Sequence, residues 1–310
     1  MMPGVVAGVL STVLMYAVGA RVFRSQGFGL AVAGIFALTP LQFVQSRLAA
    51  GPQLALPFVI GWLLCVVRFL ESSEPRWLLA AGAILGCGLY SHLASLVMMP
   101  LYLAATIVLL ASVRERWGRP LAMLMVGFGV AAVPGATFIA RHPEYLRDNI
   151  NRFHIYDANR FDLIHGLREV VSWVGLTARS ENYYDYFNPW FLFFQGNSFL
   201  ESLRQPRVFL LPLVVLLPAG LYALVNRERT PAAWLVMGGF LVAPAAAALV
   251  AEPYVARRIV FMIPFAAIIA TYGTRHLLSS HSRPVRLLGF ITTAALPISF
   301  AYFYAGYLGD

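Results

Sequence analysis

In a chain poor in charge, five side chains stand out for the chemistry their types allow: Arg47, His92, Asp185 and the adjacent pair Arg257 and Arg258. A guanidinium offers a planar fork of N–H donors suited to carboxylates and phosphates, so the three arginines are candidate anion ligands. The plainer readings stand beside that one. Arg47 can snorkel to an interface. Arg257 and Arg258 can pair with Glu252 or touch lipid headgroups, and His92 can be a merely interfacial imidazole. Asp185 lies within Tyr183-Tyr184-Asp185-Tyr186, a carboxylate set among phenols. The sequence has no glycine-rich phosphate loop, no zinc-ligand spacing and no Ser-His-Asp order, which leaves soluble nucleotide-sugar chemistry unsupported. No metal site or cofactor is expected; a divalent cation is not indicated by any residue pattern, and the need for one stays open. Cys65 and Cys87 fall inside apolar runs and read as small buried hydrophobes.

The elements that must position these groups are dictated by composition. Hydrophobic residues make up 59% of the 310, charged residues 12%, and the mean hydropathy is +0.71. That charge is about half what a soluble domain carries. It is also clustered, leaving apolar stretches of about 20 residues, the length that crosses a bilayer core. The expected architecture is all-α: a polytopic transmembrane helix bundle of about ten spans, with one extracytoplasmic loop region containing surface helices. Spans are expected near 3–22, 27–46, 52–70, 77–92, 95–112, 120–140, 207–225, 231–250, 257–275 and 285–307. The run 77–112 is too long for one crossing, and Ser91-His92 is its most polar place to turn. Three regions follow: N-terminal membrane helices over 1–140, an aromatic-rich loop over 141–206, and C-terminal membrane helices over 207–310.

Orientation follows from arginine, the chain's only basic residue besides histidine. One set of short connections carries twelve arginines, from Arg21 to Arg286; the alternate set carries three, Arg47, Arg257 and Arg258. Positive charge is retained on the cytoplasmic side. Met1, Asp310 and the loop 141–206 are therefore expected outside a multi-pass cell-membrane (inner or plasma membrane) protein. The net charge of +9 is distributed between apolar runs and so reports topology rather than nucleic acid. An external N-terminus without a signal sequence predicts a span upstream of Met1; a natural N-out first helix is the alternative. In the loop, Phe161, Ile164, Leu167, Val170, Val171 and Val174 recur at helical spacing opposite Arg160, Asp162, Arg168 and Glu169. That pattern predicts one amphipathic helix along the membrane surface.

Several short motifs recur in a familiar order. They are Ala20-Arg21-Val22-Phe23, then Leu38-Thr39-Pro40, Gln45-Ser46-Arg47 through Gly51-Pro52-Gln53, and Gly86-Cys87-Gly88-Leu89-Tyr90-Ser91-His92. His142-Pro143-Glu144 with Arg152, Asn188-Pro189-Trp190 through Gly196-Asn197, and Arg257-Arg258 follow. In order and spacing the chain resembles the GT-C membrane glycosyltransferases, in particular the bacterial group similar to protein mannosyltransferases and lipid A aminoarabinose transferases. The resemblance implies sugar transfer from a polyprenyl-phosphate donor to an external glycan, lipid or protein acceptor, within the bilayer. On that reading Arg47, Arg257 and Arg258 are candidate donor-phosphate ligands, His92 a candidate for phosphate or acceptor contact, and Asp185 a candidate for acceptor contact. It also implies that the catalytic acid belongs to an external loop upstream of Met1, so no catalytic residue is expected within the chain. Gln53 stands where the family often has Asp, and an amide cannot act as a base.

Two rivals remain. A non-catalytic remnant or scaffold of such an enzyme accommodates Gln53 and the missing loop. A lipid or solute transporter predicts ionisable residues at mid-span, and away from their ends the expected spans have none.

Overall fold

In the computed structural model the described residues are 2–48, 51–113, 117–194, 207–250 and 254–309, and every regular element among them is a helix. Helix α1 (Met2–Val22) leads to α2 (Gln26–Ala37), which Ser25 caps by accepting from the Phe28 N–H. The chain then bends by 64° into α3 (Pro40–Leu48). Pro40 has no N–H to continue α2, and the Thr39 hydroxyl donates back to the Ile35 carbonyl at 2.8 Å. A 3-10 turn (Gly51–Ala55) opens α4 (Leu56–Ser72), followed by α5 (Arg76–Gly88), α6 (Ser95–Val113) and α7 (Gly118–Arg141). Four short helices form the connecting region: α8 (Pro143–Arg152), α9 (Leu163–Val170), α10 (Trp173–Asp185) and α11 (Pro189–Phe193). The second half holds α12 (Leu213–Asn226), α13 (Pro231–Val242), α14 (Ala245–Ala248), a 3-10 turn (Ala256–Ile259), α15 (Met262–Leu278) and α16 (Arg283–Gly309).

Each of the ten expected apolar stretches carries a helix or a closely linked pair. Their lengths differ from the expectation. Among the described residues, six helical stretches are long and apolar enough to cross a membrane, or seven if the bent α2–α3 pair counts as one crossing. Helices α5, α12 and α15 have 13, 14 and 17 residues. At 1.5 Å per residue they reach only about 20 to 26 Å, short of a hydrocarbon core of about 30 Å. The run 77–112 does divide at the expected place, where residues 89–94 turn between α5 and α6.

Helix α15 is the hub. From Met262 to Thr274 every residue is buried, with α2, α12, α13 and α16 packed around it. Contact with α12 is backbone to backbone: a Cβ on Gly220 would overlap the Ile269 carbonyl, and one on Gly273 the Leu216 carbonyl. Small residues that let helices touch in this way are the usual association device in membranes, where hydrocarbon gives no hydrophobic drive. One core draws buried residues from both the 1–140 and 207–310 regions. Helices α7 and α16 turn apolar faces outward, with Val130 71% and Ile298 70% exposed, as lipid-facing helices do.

Two local expectations are corrected. Cys65 is buried, but Cys87 is exposed on the outer side of α5. The single amphipathic helix is two helices. Asp162 caps α9 through the His165 N–H at 2.8 Å, and Ser172 caps α10 through the Gly175 N–H at 3.0 Å. Between them the chain turns at Val171, because a serine hydroxyl competes for helix-start N–H groups.

Candidate functional site at the 254–259 turn

The segment after α14 is held from both sides. Tyr254 adopts φ 58°, a left-handed conformation that costs a tyrosine energy and persists only where its surroundings fix it. Its hydroxyl donates to Asp185 Oδ1 at 2.8 Å, and its ring meets Phe191 at 5.4 Å. That hydrogen bond, with burial second, raises the Tyr254 phenol above its ordinary range. Helix α10 is itself strapped to the bundle: Tyr183 Oη donates to the Leu241 carbonyl at 2.7 Å and Asn182 Nδ2 to the Val250 carbonyl at 3.3 Å. The following 3-10 turn buries Ala256 and Ile259 as anchors, leaving Arg257 exposed and Arg258 half-buried.

Arg47 lies in the last turn of α3, which packs against this turn. Its guanidinium lies 4.2 Å above the Phe43 ring, with Tyr304 and Tyr307 of α16 at 6.0 and 5.8 Å, a cation–π arrangement that holds a charge at an apolar boundary. His92 sits in the α5–α6 turn with Nδ1 accepting from the Ala94 N–H at 3.1 Å. In the neutral ring that bond places the proton on Nε2. Its ring lies against Gly51, where a Cβ would come within 2.8 Å of Cδ2. Burial, and then the positive charge of Arg257, lower the His92 pKa, so the imidazole is neutral at neutral pH. Arg47, His92, Arg257, Arg258 and Asp185, chosen from the sequence, thus gather at one end of the bundle. Glu252 and the 195–197 motif lie outside the described residues.

Beneath this cationic rim is a floor of neutral polar groups. Gln53 and Ser11 are fully buried, and Gln42 and Gln45 nearly so. Neither polar atom of Gln53 has a partner among the described residues, nor do Gln42 Oε1, Gln45 Oε1 or Ser11 Oγ. A buried amide without a hydrogen bond costs on the order of 1–3 kcal/mol, so a cluster of them marks a place shaped by something other than stability. Gln42, Ser46 and Thr12 line a cavity of about 300 Å3 between α1 and the bent α2–α3 pair, with Phe43 in its wall. Gln42 was not singled out by sequence reasoning; the available signal was three glutamines within residues 42–53 of an apolar stretch. No group of three or more metal-ligating side chains occurs among the described residues.

Residues 1–137 match the family model of the dolichyl-phosphate-mannose-protein mannosyltransferases. This region contains α1 to most of α7, and with them Arg47, Gln53 and His92. The match supports the GT-C superfamily, the protein mannosyltransferase side of the resemblance and not the aminoarabinose transferases. Together with the apolar helices it points to a multi-pass membrane protein of glycosyltransferase type, and the family implies a lipid-linked sugar donor. No curated protein matches the chain.

Proposed function

We propose that the chain is the membrane-embedded body of a GT-C-type glycosyltransferase that binds a polyprenyl-phosphate-linked sugar at the extracytoplasmic end of its bundle. The carrying observation is the convergence of Arg47, His92 and the Arg257–Arg258 turn, contributed by three separate parts of the sequence. In this reading about ten segments enter the bilayer, the short helices α5, α12 and α15 lying among longer neighbours.

Transfer breaks the bond between the anomeric carbon and the phosphate oxygen, and leaves a lipid phosphate carrying one more negative charge. Guanidinium groups fixed before the reaction stabilise that charge without reorganising. His92, neutral with a proton on Nε2, donates a hydrogen bond to the same phosphate. Asp185 acts through Tyr254, holding the turn that presents Arg257 and Arg258; it is a positioning residue in this arrangement. The acceptor proton needs a carboxylate base, which this reading assigns to none of the described residues.

The test is donor binding by the full chain in lipid nanodiscs, using a polyprenyl-phosphate hexose and the same polyprenol without phosphate. Each charge-assisted hydrogen bond lost costs about 1.5–3 kcal/mol. Arg258→Ala is therefore expected to weaken donor binding by about tenfold or more while leaving insertion intact. Equal binding of the phosphate-free lipid, or an unchanged affinity in Arg258→Ala, removes the phosphate role. Binding without turnover under any acceptor favours the scaffold reading.

A further inference from the structure

The opposite end of the bundle carries a second polar cavity. Helix α15 has the Arg257–Arg258 turn at its start and Arg275 near its end, about 25 Å away along the axis. There, the ends of α12 and α15 and the start of α16 enclose about 400 Å3. Its wall includes Arg227, Arg275, His276, His281 and the hydroxyls of Ser279, Ser280 and Ser282, with Glu228 as its acidic side chain.

The charges in this wall are not equivalent. Glu228 is taken up by an ion pair with Arg275, whose guanidinium also lies 5.5 Å from both the Phe23 and Tyr272 rings. Arg227 has no acidic partner among the described residues, and neither has His281. The uncompensated side of the cavity is thus a guanidinium, two imidazoles and several hydroxyls. Ser282 also precedes the first turn of α16, where the helix dipole favours an anion. A guanidinium with no acidic partner among the described residues, in a concave site lined by imidazoles and hydroxyls, fits the oxygens of a phosphate group. Apolar side chains flank the cavity, with Tyr222 52% and Val225 41% exposed on α12, so a path for lipid tails adjoins the polar pocket.

We propose that this cavity is a binding site for a phosphate-bearing anion of headgroup size, separate from the Arg257–Arg258 rim. The source is either an anionic phospholipid or a soluble phosphate compound, and the two are separable by experiment. The full chain is held in a phosphate-free maltoside detergent and its unfolding midpoint followed during titration. The probes are dioctanoyl phosphatidylglycerol, dioctanoyl phosphatidylcholine and inorganic phosphate. A saturable rise with phosphatidylglycerol alone supports the site with a lipid source; a rise with inorganic phosphate as well supports it with a soluble one.

The paired variant Arg227→Gln, His281→Gln is expected to bind at least about tenfold more weakly. Arg283→Gln with Arg286→Gln, in the first turn of α16 but outside the cavity wall, is expected to bind as the parent does. Glu228→Gln removes the cavity's carboxylate and releases Arg275, so it is expected to bind more tightly, an outcome that loss of structure cannot mimic. No saturable shift with any probe overturns the proposal. So does a shift of equal size for phosphatidylcholine, or one that survives the paired substitution. None of these readouts depends on donor binding at the other end of the bundle.

Discussion

At the scale of single residues, His92 links the site to pH. Its pKa lies below the ordinary imidazole value because it is buried and faces Arg257. A phosphodiester placed between the two screens that repulsion and raises the His92 pKa. A phosphodiester does not itself titrate near neutrality, so any proton taken up on donor binding belongs to the protein. Donor affinity is expected to increase as pH falls through the bound-state His92 pKa towards that of the unliganded protein, which lies below the ordinary imidazole value of about 6.5. Calorimetry below about pH 6.5, in buffers of different ionisation enthalpy, should show proton uptake that His92→Gln abolishes. Folding stability runs the other way. The unfolded chain takes up this proton at about pH 6.5 while the folded chain resists it, so stability without ligand falls as pH drops below that value.

Gln53 carries a second expectation at this scale. Replacing it by Leu removes an unpartnered buried amide at similar volume and should raise the unfolding midpoint, by an amount worth about 1–3 kcal/mol. If the amide floor serves the donor, the same variant binds it more weakly. A midpoint that falls would show that Gln53 is satisfied within the native protein. The five charged or titratable candidates were legible because an ionisable group is conspicuous among apolar residues. The glutamines were not, since a neutral amide leaves no mark on charge counting and only burial reveals that it is unpaired.

At the scale of elements, the sequence located helices well and helix ends poorly. Apolar length marks where a segment enters a bilayer, but it does not register the competition at Ser172, whose hydroxyl ends one helix and starts the next. The corner is sharp enough that a Cβ on Gly175 would run into the Glu169 and Val170 carbonyls, a contact visible only in three dimensions. Breaking the helix does not destroy its apolar face. Ile164 and Val174 are each 76% exposed and Trp173 81%, all on the loop region and beside Arg168. This face is expected to rest on the lipid surface. Quenching by brominated lipid, measured with and without Trp173→Phe, isolates the Trp173 contribution. That increment should shrink when Ile164→Glu and Val174→Glu are introduced together; an unchanged increment would place Trp173 away from lipid.

At the scale of the whole molecule, everything rests on which end of the bundle faces the cytoplasm. At the end where the short connections are rich in arginine, three of those charges are tied down: Arg21 pairs with Glu71 at 2.7 Å, Arg275 with Glu228, and Arg68 lies 5.0 Å from the Trp77 ring. The end whose short connections carry only three arginines holds the Arg47, His92 and Arg257 group together with α8 to α11. Charge counting along the sequence predicts the two sides but not the length of each helix, so of ten apolar stretches only six or seven among the described residues form helices long and apolar enough to cross a membrane. Packing around α15 lets the short helices sit inside the bundle without each matching the bilayer thickness. The orientation can be measured directly. With Cys65→Ala and Cys87→Ala as background, intact cells are treated with a membrane-impermeant maleimide. Thr177→Cys on α10 should label at once, and Ser72→Cys at the end of α4 should label only after the cells are opened. The reverse pattern would put the cationic group on the side where the positive-inside bias retains charge anyway. Arg257 and Arg258 would then need no special function, and a lipid-linked sugar would meet them only from the cytoplasm.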